Sequence, residues 1–335
     1  MSQAKKRVFS GVQPSGRLHL GNYLGALRQW LELEAQYDCI FCVVDWHALT
    51  IPEVIDPPKL RDKTREVAAL YVAAGIDPDK SIIFRQSDIK EHTELTWILS
   101  CTTPLGWLER MTQFKTKSEK RETVGTGLLT YPVLQASDIL LYDTHLVPVG
   151  EDQKQHIEIT RDIAQRFNVL FGEAFVLPEV MIPKAGARVM GFDDPTAKMS
   201  KSLAETQPRH AVGLLDSEKQ IKKTIMSAVT DSASELDPDL SKASAGLKNL
   251  LSVLEALSGE RAQAIADRFA GRGYGYLKQE VLDATLAKVL PIQARYRELT
   301  GDVAEVENLL KKSADRARPI AQATMQRVRD RVGVS

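Results

Sequence analysis

Short apolar runs alternate with longer helical patterns over residues 7–85, and that rhythm restricts the chain to few folds. Residues 7–10 read as a strand, 22–35 as a helix with Leu24, Leu27 and Leu31 on one stripe, and 39–45 as a buried strand. A helix at 58–74 and a strand at 81–85 follow. Such an alternation buries its apolar faces as a parallel sheet with helices on both sides, so the predicted class is α/β with a Rossmann-like sheet. Ligands of these sheets gather at the carboxyl ends of the strands, which directs attention to the loops after Ser10 and Val44.

Beyond about residue 201 strand-like runs stop. Helical patterns occupy 217–229, 247–257, 260–270, 279–299 and 303–332, and Pro291 is expected to end or kink the fourth. The expected organisation is a Rossmann-like domain over 1–205 and an α-helical domain over 206–335, with the last helix packing back on the first domain.

A chain of 335 residues, 43% hydrophobic, can close the cores of two domains. No apolar run approaches the roughly 20 residues that cross a bilayer, and the first ten residues lack the apolar stretch of a signal peptide. The expectation is a cytoplasmic protein with no membrane partner. Cys39, Cys42 and Cys101 make no disulfide framework, and Cys39 and Cys42 read as small core residues in a strand rather than as a redox or metal pair. No residue is assigned as a metal ligand.

The 44 basic and 44 acidic side chains cancel, which argues against a uniformly basic nucleic-acid coat. Local patches remain: five basic against one acidic residue over 110–121, and seven against two over 311–331. Each reads either as a solvated face or as a polyanion contact.

Two motifs carry chemistry. The first, residues 11–22, is rich in glycine (Gly11, Gly16, Gly21) and lies between the first strand and the first helix, whose free N–H groups favour an anion. It fits neither the P-loop nor the dinucleotide spacing, and alone it is equally well a simple turn. The second is Lys198-Met199-Ser200-Lys201-Ser202, after a turn-rich approach (Gly191, Asp193, Asp194, Pro195). It reads as a mobile cationic loop able to close over a triphosphate, or as an ordinary solvated lysine pair. Asp138, ahead of Ile139, Leu140 and Leu141, reads from pattern alone as a helix N-cap. His47 alone reads as a satisfied polar residue at a strand end.

Taken together, His19-Leu20-Gly21-Asn22 and residues 198–202 resemble the paired signatures of the class I aminoacyl-tRNA synthetases. Within that class the chain resembles the bacterial tryptophanyl branch nearly end to end, through residues 11–16, 21–29, 109–115, 147–156 and 198–202. The resemblance implies activation of L-tryptophan by ATP with Mg²⁺, transfer to tRNA(Trp), and a homodimer. It places ATP on Gln13, Pro14, Ser15, His19, Gly21 and Asn22, its ribose and base on Gly150, Glu151, Asp152 and Val189, and its phosphates near Lys117, Lys198 and Lys201, with Met199, Ser200 and Ser202 in the same loop. Lys117, Lys198 and Lys201 are thereby the implied catalytic residues. It makes Asp138 the acceptor of the indole N–H, with Phe9, His47, Tyr131, Gln135, Val147, Val149 and Gln153 completing the amino-acid pocket. Gln135 and Trp46 depart from the family pattern, which carries methionine and glutamine there. The helical half is implied to read the anticodon, with 311–331 a candidate for backbone contact and Arg272, Tyr274, Tyr276 and Tyr296 candidates for base stacking. The alternatives are a non-charging regulatory paralogue and a tyrosine-specific synthetase.

Overall fold

The computed structural model describes residues 5–119, 122–150, 153–182, 189–233 and 235–334. Among these, β1 (Arg7–Val12), β2 (Asp38–Val43), β3 (Ile82–Arg85), β4 (Leu146–Pro148) and β5 (Glu179–Met181) form one parallel sheet in the order β3-β2-β1-β4-β5. Arg7 pairs with Asp38 and Val12 with Val43, so β1 runs two residues beyond the predicted strand end. Val8 stands opposite Leu146, and the strand order reverses direction between β1 and β4. Crevices of doubly wound sheets open at that switch point.

The sheet buries both faces, and period two divides its side chains between two cores. Val8, Cys39, Phe41, Val43 and Ile83 face one, and Phe9, Ile40, Cys42, Phe84 and Ile82 the other. Cys39 and Cys42 therefore point to opposite sides of β2; burial raises the Cys39 thiol to about 12 and that of Cys42 well above its ordinary value. They are core residues.

On the first face lies a helical segment made of α1 (Leu20–Asn22), a π-turn (Tyr23–Leu27) and α2 (Arg28–Glu34), beside α3 (Pro57–Ala73). Trp30 stacks on Phe41 at 4.5 Å between ring centroids and meets Tyr71 edge-on at 5.1 Å. Asp56 caps α3, accepting from the Lys59 N–H, and Pro57 opens it. The second face is covered by α4 (Glu91–Thr102), α5 (Leu105–Glu109), α6 (Thr112–Ser118), α7 (Thr126–Leu140) and α8 (Lys154–Phe171).

After β5 come α9 (Lys201–Thr206), α10 (Glu218–Met226), α11 (Ala245–Ser258), α12 (Ala262–Arg268), α13 (Tyr274–Thr300) and α14 (Val303–Val332). Ser217 and Gln220 close a capping box on α10, while Ser244 caps α11, which ends on the left-handed Gly259. The first core continues into these helices through Val189, Phe192 and Met199. Pro291 does not end its helix: α13 runs unbroken, because Val289 and Ile292 are buried around the proline and Gln293 Nε2 donates to the Leu214 and Asp216 carbonyls.

α14 returns to the sheet. Its Ala314, Ala317, Ala321, Met325 and Val328 enter the second core, and Ser313 Oγ accepts from the Ile83 N–H of edge strand β3 at 2.6 Å. Four of the seven basic residues of the 311–331 patch are engaged within the chain. Arg316 donates to the Pro78 carbonyl, Arg318 to that of Asp88, Arg327 pairs with Asp143, and Arg329 forks onto Glu94 at 2.7 and 2.6 Å. These guanidiniums fasten the helix to the first half of the chain. No described helix is long and apolar enough to cross a membrane.

Candidate active site

β1 and β4 end at a cavity of about 480 Å³. All eight residues expected to form the amino-acid pocket line it: Phe9, His47, Tyr131, Gln135, Asp138, Val147, Val149 and Gln153. Gln13, Lys117 and Gly150 line it as well. Phe9 and Val147 reach it from β1 and β4, His47 from the 3₁₀ turn after β2, and Tyr131, Gln135 and Asp138 from successive turns of α7.

Asp138 lies inside α7 near its end and not at an N-cap, since the helix begins well upstream at Thr126. Only 2% exposed, its carboxylate accepts from His47 Nε2 at 2.8 Å, Gln86 Nε2 at 2.6 Å and His92 Nδ1 at 2.7 Å. Burial alone raises a carboxyl's affinity for protons, but the hydrogen bonds from His47 and His92 outweigh it and hold Asp138 below the usual carboxylate range. The cavity thus has an ionised acceptor in its wall.

Tyr131 shares its hydroxyl with His156 Nε2 at 2.7 Å and Gln113 Oε1 at 3.3 Å, and burial raises it to about 12. The Lys117 ammonium stands 5.6 Å from the centroid of the same ring. Trp46 keeps its side chain half-exposed in a smaller neighbouring cavity with Leu49 and Tyr131. Its backbone N–H donates to Gln86 Oε1 at 3.1 Å.

The two motifs, far apart in sequence, touch. Lys201 Nζ donates to the Gln13 carbonyl at 3.1 Å. Gly16 has φ +61°, and a Cβ there would come within 2.7 Å of Lys201 Cβ, so both backbone conformation and space require glycine. A Cβ on Gly21 would lie 3.3 Å from Met199 Sδ, and Met199 is itself buried in the core. Burial and the charge of Lys63 lower the Lys201 ammonium to about 8.

His19 is buried, and its Nδ1 has no hydrogen-bond partner among the described residues. Burial first, then the charges of Lys201, His210, Lys198 and Arg17, lower it to about 3, so this imidazole is neutral at physiological pH. Asn22 Oδ1 accepts from the His19 N–H at 3.1 Å, closing the first turn. Pro14 is buried, Ser15 and Lys198 are exposed, and Ser200 caps α9 by accepting from the Leu203 N–H. Val189 is a core residue whose carbonyl accepts from the Met199 N–H at 3.1 Å. None of these borders the cavity. Glu151, Asp152 and the side chain of Ser202 lie outside the described residues.

The sequence reading missed the wall supplied by the first helical segment. Gly25, Ala26, Gln29 and Trp30 line the cavity. The signal was present: Gly21, Gly25 and Gln29 recur every fourth residue, a face of small and polar groups directed at the strand ends. It also missed Gln86 and His92, which touch the acceptor from behind.

Residues 1–289 match the family model described as tRNA synthetases class I (W and Y). A tryptophan–tRNA ligase of Caldanaerobacter subterraneus subsp. tengcongensis is 52% identical over 329 residues, 98% of this chain and 98% of the relative. One from Wolinella succinogenes is 49% identical over 333 residues, 98% and 99% of the two chains. The crystal structure of Campylobacter jejuni tryptophanyl-tRNA synthetase complexed with ADP and tryptophan superposes with a TM-score of 0.85 at 39% identity, covering 98% of this chain and 100% of that one. A parallel sheet with a cavity at its switch point, two motifs touching at the cavity's edge, and these matches place the chain in the class I tRNA synthetases of the tryptophan and tyrosine type.

Proposed function

We propose that the chain is a tryptophan–tRNA ligase, forming tryptophanyl-adenylate from L-tryptophan and ATP and passing the tryptophan to tRNA(Trp). The observation that carries this reading is the contact of Lys201 with Gln13: it brings the lysine-bearing loop to the glycine-rich loop at the edge of a cavity that ends on Asp138.

In the first step a tryptophan carboxylate oxygen attacks the α-phosphorus of ATP, and the bond to the bridging oxygen of the β-phosphate breaks. Pyrophosphate leaves with the negative charge. A hydroxyl of the tRNA then attacks the activated carbonyl and AMP departs. Neither step needs a protein nucleophile, so the protein contributes positioning and charge stabilisation. Mg²⁺ enters on the triphosphate, its usual manner of binding in nucleotide sites. Lys117, Lys198 and Lys201 are assigned to the phosphates, supported by the Lys201 contact with Gln13 and by a His19 nitrogen that has no partner among the described residues. Gln13, Pro14, Ser15, Gly21, Asn22, Gly150 and Val189 are assigned to ATP on family resemblance. Charge-assisted contacts contribute on the order of 1.5–3 kcal/mol each, so loss of one lysine that acts only in the transition state slows activation roughly ten- to more than a hundredfold. Asp138 is assigned to the indole N–H, and residues from 206 onward, with a homodimeric assembly, to the tRNA.

Exchange of labelled pyrophosphate into ATP with purified protein and Mg²⁺ tests the activation step. Tryptophan-dependent exchange, faster than with tyrosine, is expected. No exchange, or faster exchange with tyrosine, rejects the proposal.

A further inference from the structure

The bonding capacity of Asp138 can be counted. An ionised carboxylate offers about four lone-pair positions. Oδ1 fills both of its own with Gln86 Nε2 and His92 Nδ1, at 2.6 and 2.7 Å. Oδ2 fills one, with His47 Nε2 at 2.8 Å. One position remains, on Oδ2, and Asp138 borders the cavity. Gln86 and His92 are fully buried and do not border it.

Both donors are themselves fixed. The Trp46 backbone N–H donates to Gln86 Oε1, which sets the amide so that its nitrogen faces the carboxylate. A carboxylate only accepts, so His92 Nδ1 carries a proton, and its Nε2 shares a hydrogen bond with the buried Tyr142 hydroxyl at 2.8 Å. The Tyr142 ring is held in turn between Phe9, stacked at 5.8 Å, and Phe84, edge-on at 5.6 Å. A hydrogen-bonded chain therefore runs from Tyr142 through His92 to Asp138.

We propose that Gln86 and His92 are specificity-determining positioning residues, which saturate Oδ1, fix the carboxylate plane, and leave one acceptor position on Oδ2 that selects an aromatic amino acid bearing a single ring N–H. The inference rests on the tryptophan reading of the site. A ligand of the same shape without the donor leaves a buried charged acceptor short of a partner, and such sites reject such ligands strongly.

The test compares kcat/KM in pyrophosphate exchange for tryptophan and for its isostere with sulfur in place of the ring N–H. If the wild-type protein activates tryptophan without preferring it over the isostere, the assignment of Asp138 to the indole fails first, and the positioning role with it. Given that preference, His92→Leu and Gln86→Met are each expected to lower the ratio roughly tenfold or more, with KM for ATP unchanged. His92→Asn, whose amide nitrogen can take the place of Nδ1, is expected to keep the ratio. An unchanged ratio in the Leu and Met variants, or an equal loss on both substrates, overturns the proposal. Should His92→Leu fail to fold, Gln86→Met, close to glutamine in shape, decides alone.

Discussion

Lys201 has to carry its charge to meet a phosphate, yet it is packed where a charge is costly. With its amine lowered to about 8, the ammonium is present below that pH and is lost as pH rises through it. kcat/KM for ATP, which reports the free protein, is therefore expected to fall above about pH 8, and Lys201→Arg to remove that limb because a guanidinium stays charged. A wild-type profile flat well past that point removes Lys201 from the phosphates. The same depression means that between about 8 and the ordinary 10.5 the unfolded chain binds more protons, so stability rises with pH across that window. Asp138 makes a second case. Asp138→Asn sets an amide N–H₂ against His47, or against Gln86 and His92, all of which donate to the carboxylate. Loss of one or two charge-assisted bonds predicts a rise in KM for tryptophan of roughly tenfold to a hundredfold, read in steady-state exchange. Unchanged kinetics leave the residue with a structural role alone.

Between residue and molecule, the hairpin at 189–199 positions the lysine loop. Met190 pairs with Lys198, the Gly191 N–H donates to the Ala197 carbonyl at 2.9 Å, and Asp194 turns the chain by accepting from Thr196. Asn249 of α11, only 4% exposed, grips its base by accepting from the Met190 N–H at 2.9 Å and donating to the Met190 and Gly191 carbonyls. Asn249→Ala is expected to raise KM for ATP several-fold and to leave KM for tryptophan unchanged; parallel rises in both contradict a hold on this element. Elements were the most legible level of the sequence. β1, β2 and β3 announced themselves because both faces of the sheet are buried and their residues form short apolar runs. α7 did not: it contains Pro132, and Asp138 ahead of an apolar run resembled a helix start. The pocket residues came from family resemblance, not from spacing, and the meeting of Gln86, His92 and Asp138 from three separate elements leaves no linear signature.

At the scale of the molecule, α14 closes the second core over β3 and α4, and its contacts differ in weight. Ser313 Oγ is buried and is the acceptor of a buried strand N–H. Removing it in Ser313→Ala leaves that donor unpaired, at a cost of about 1–3 kcal/mol in urea unfolding. The Arg329–Glu94 fork is partly exposed, at 31% and 40%, and exposed pairs contribute about 0.2–1 kcal/mol, so Arg329→Ala is expected to cost less. The reverse order would show that charge, not the buried hydrogen bond, fastens the helix.

That fastening has a consequence for how the polypeptide is made. β3 is an edge strand, and the serine that accepts from it follows 230 residues later. At roughly 5–20 residues per second, a ribosome needs on the order of 10–50 s to deliver that partner. Throughout that interval the nascent chain carries a bare strand rim beside an uncovered apolar layer, the arrangement most prone to pairing with a stranger, so chaperone demand should peak late in translation and drop once α14 emerges.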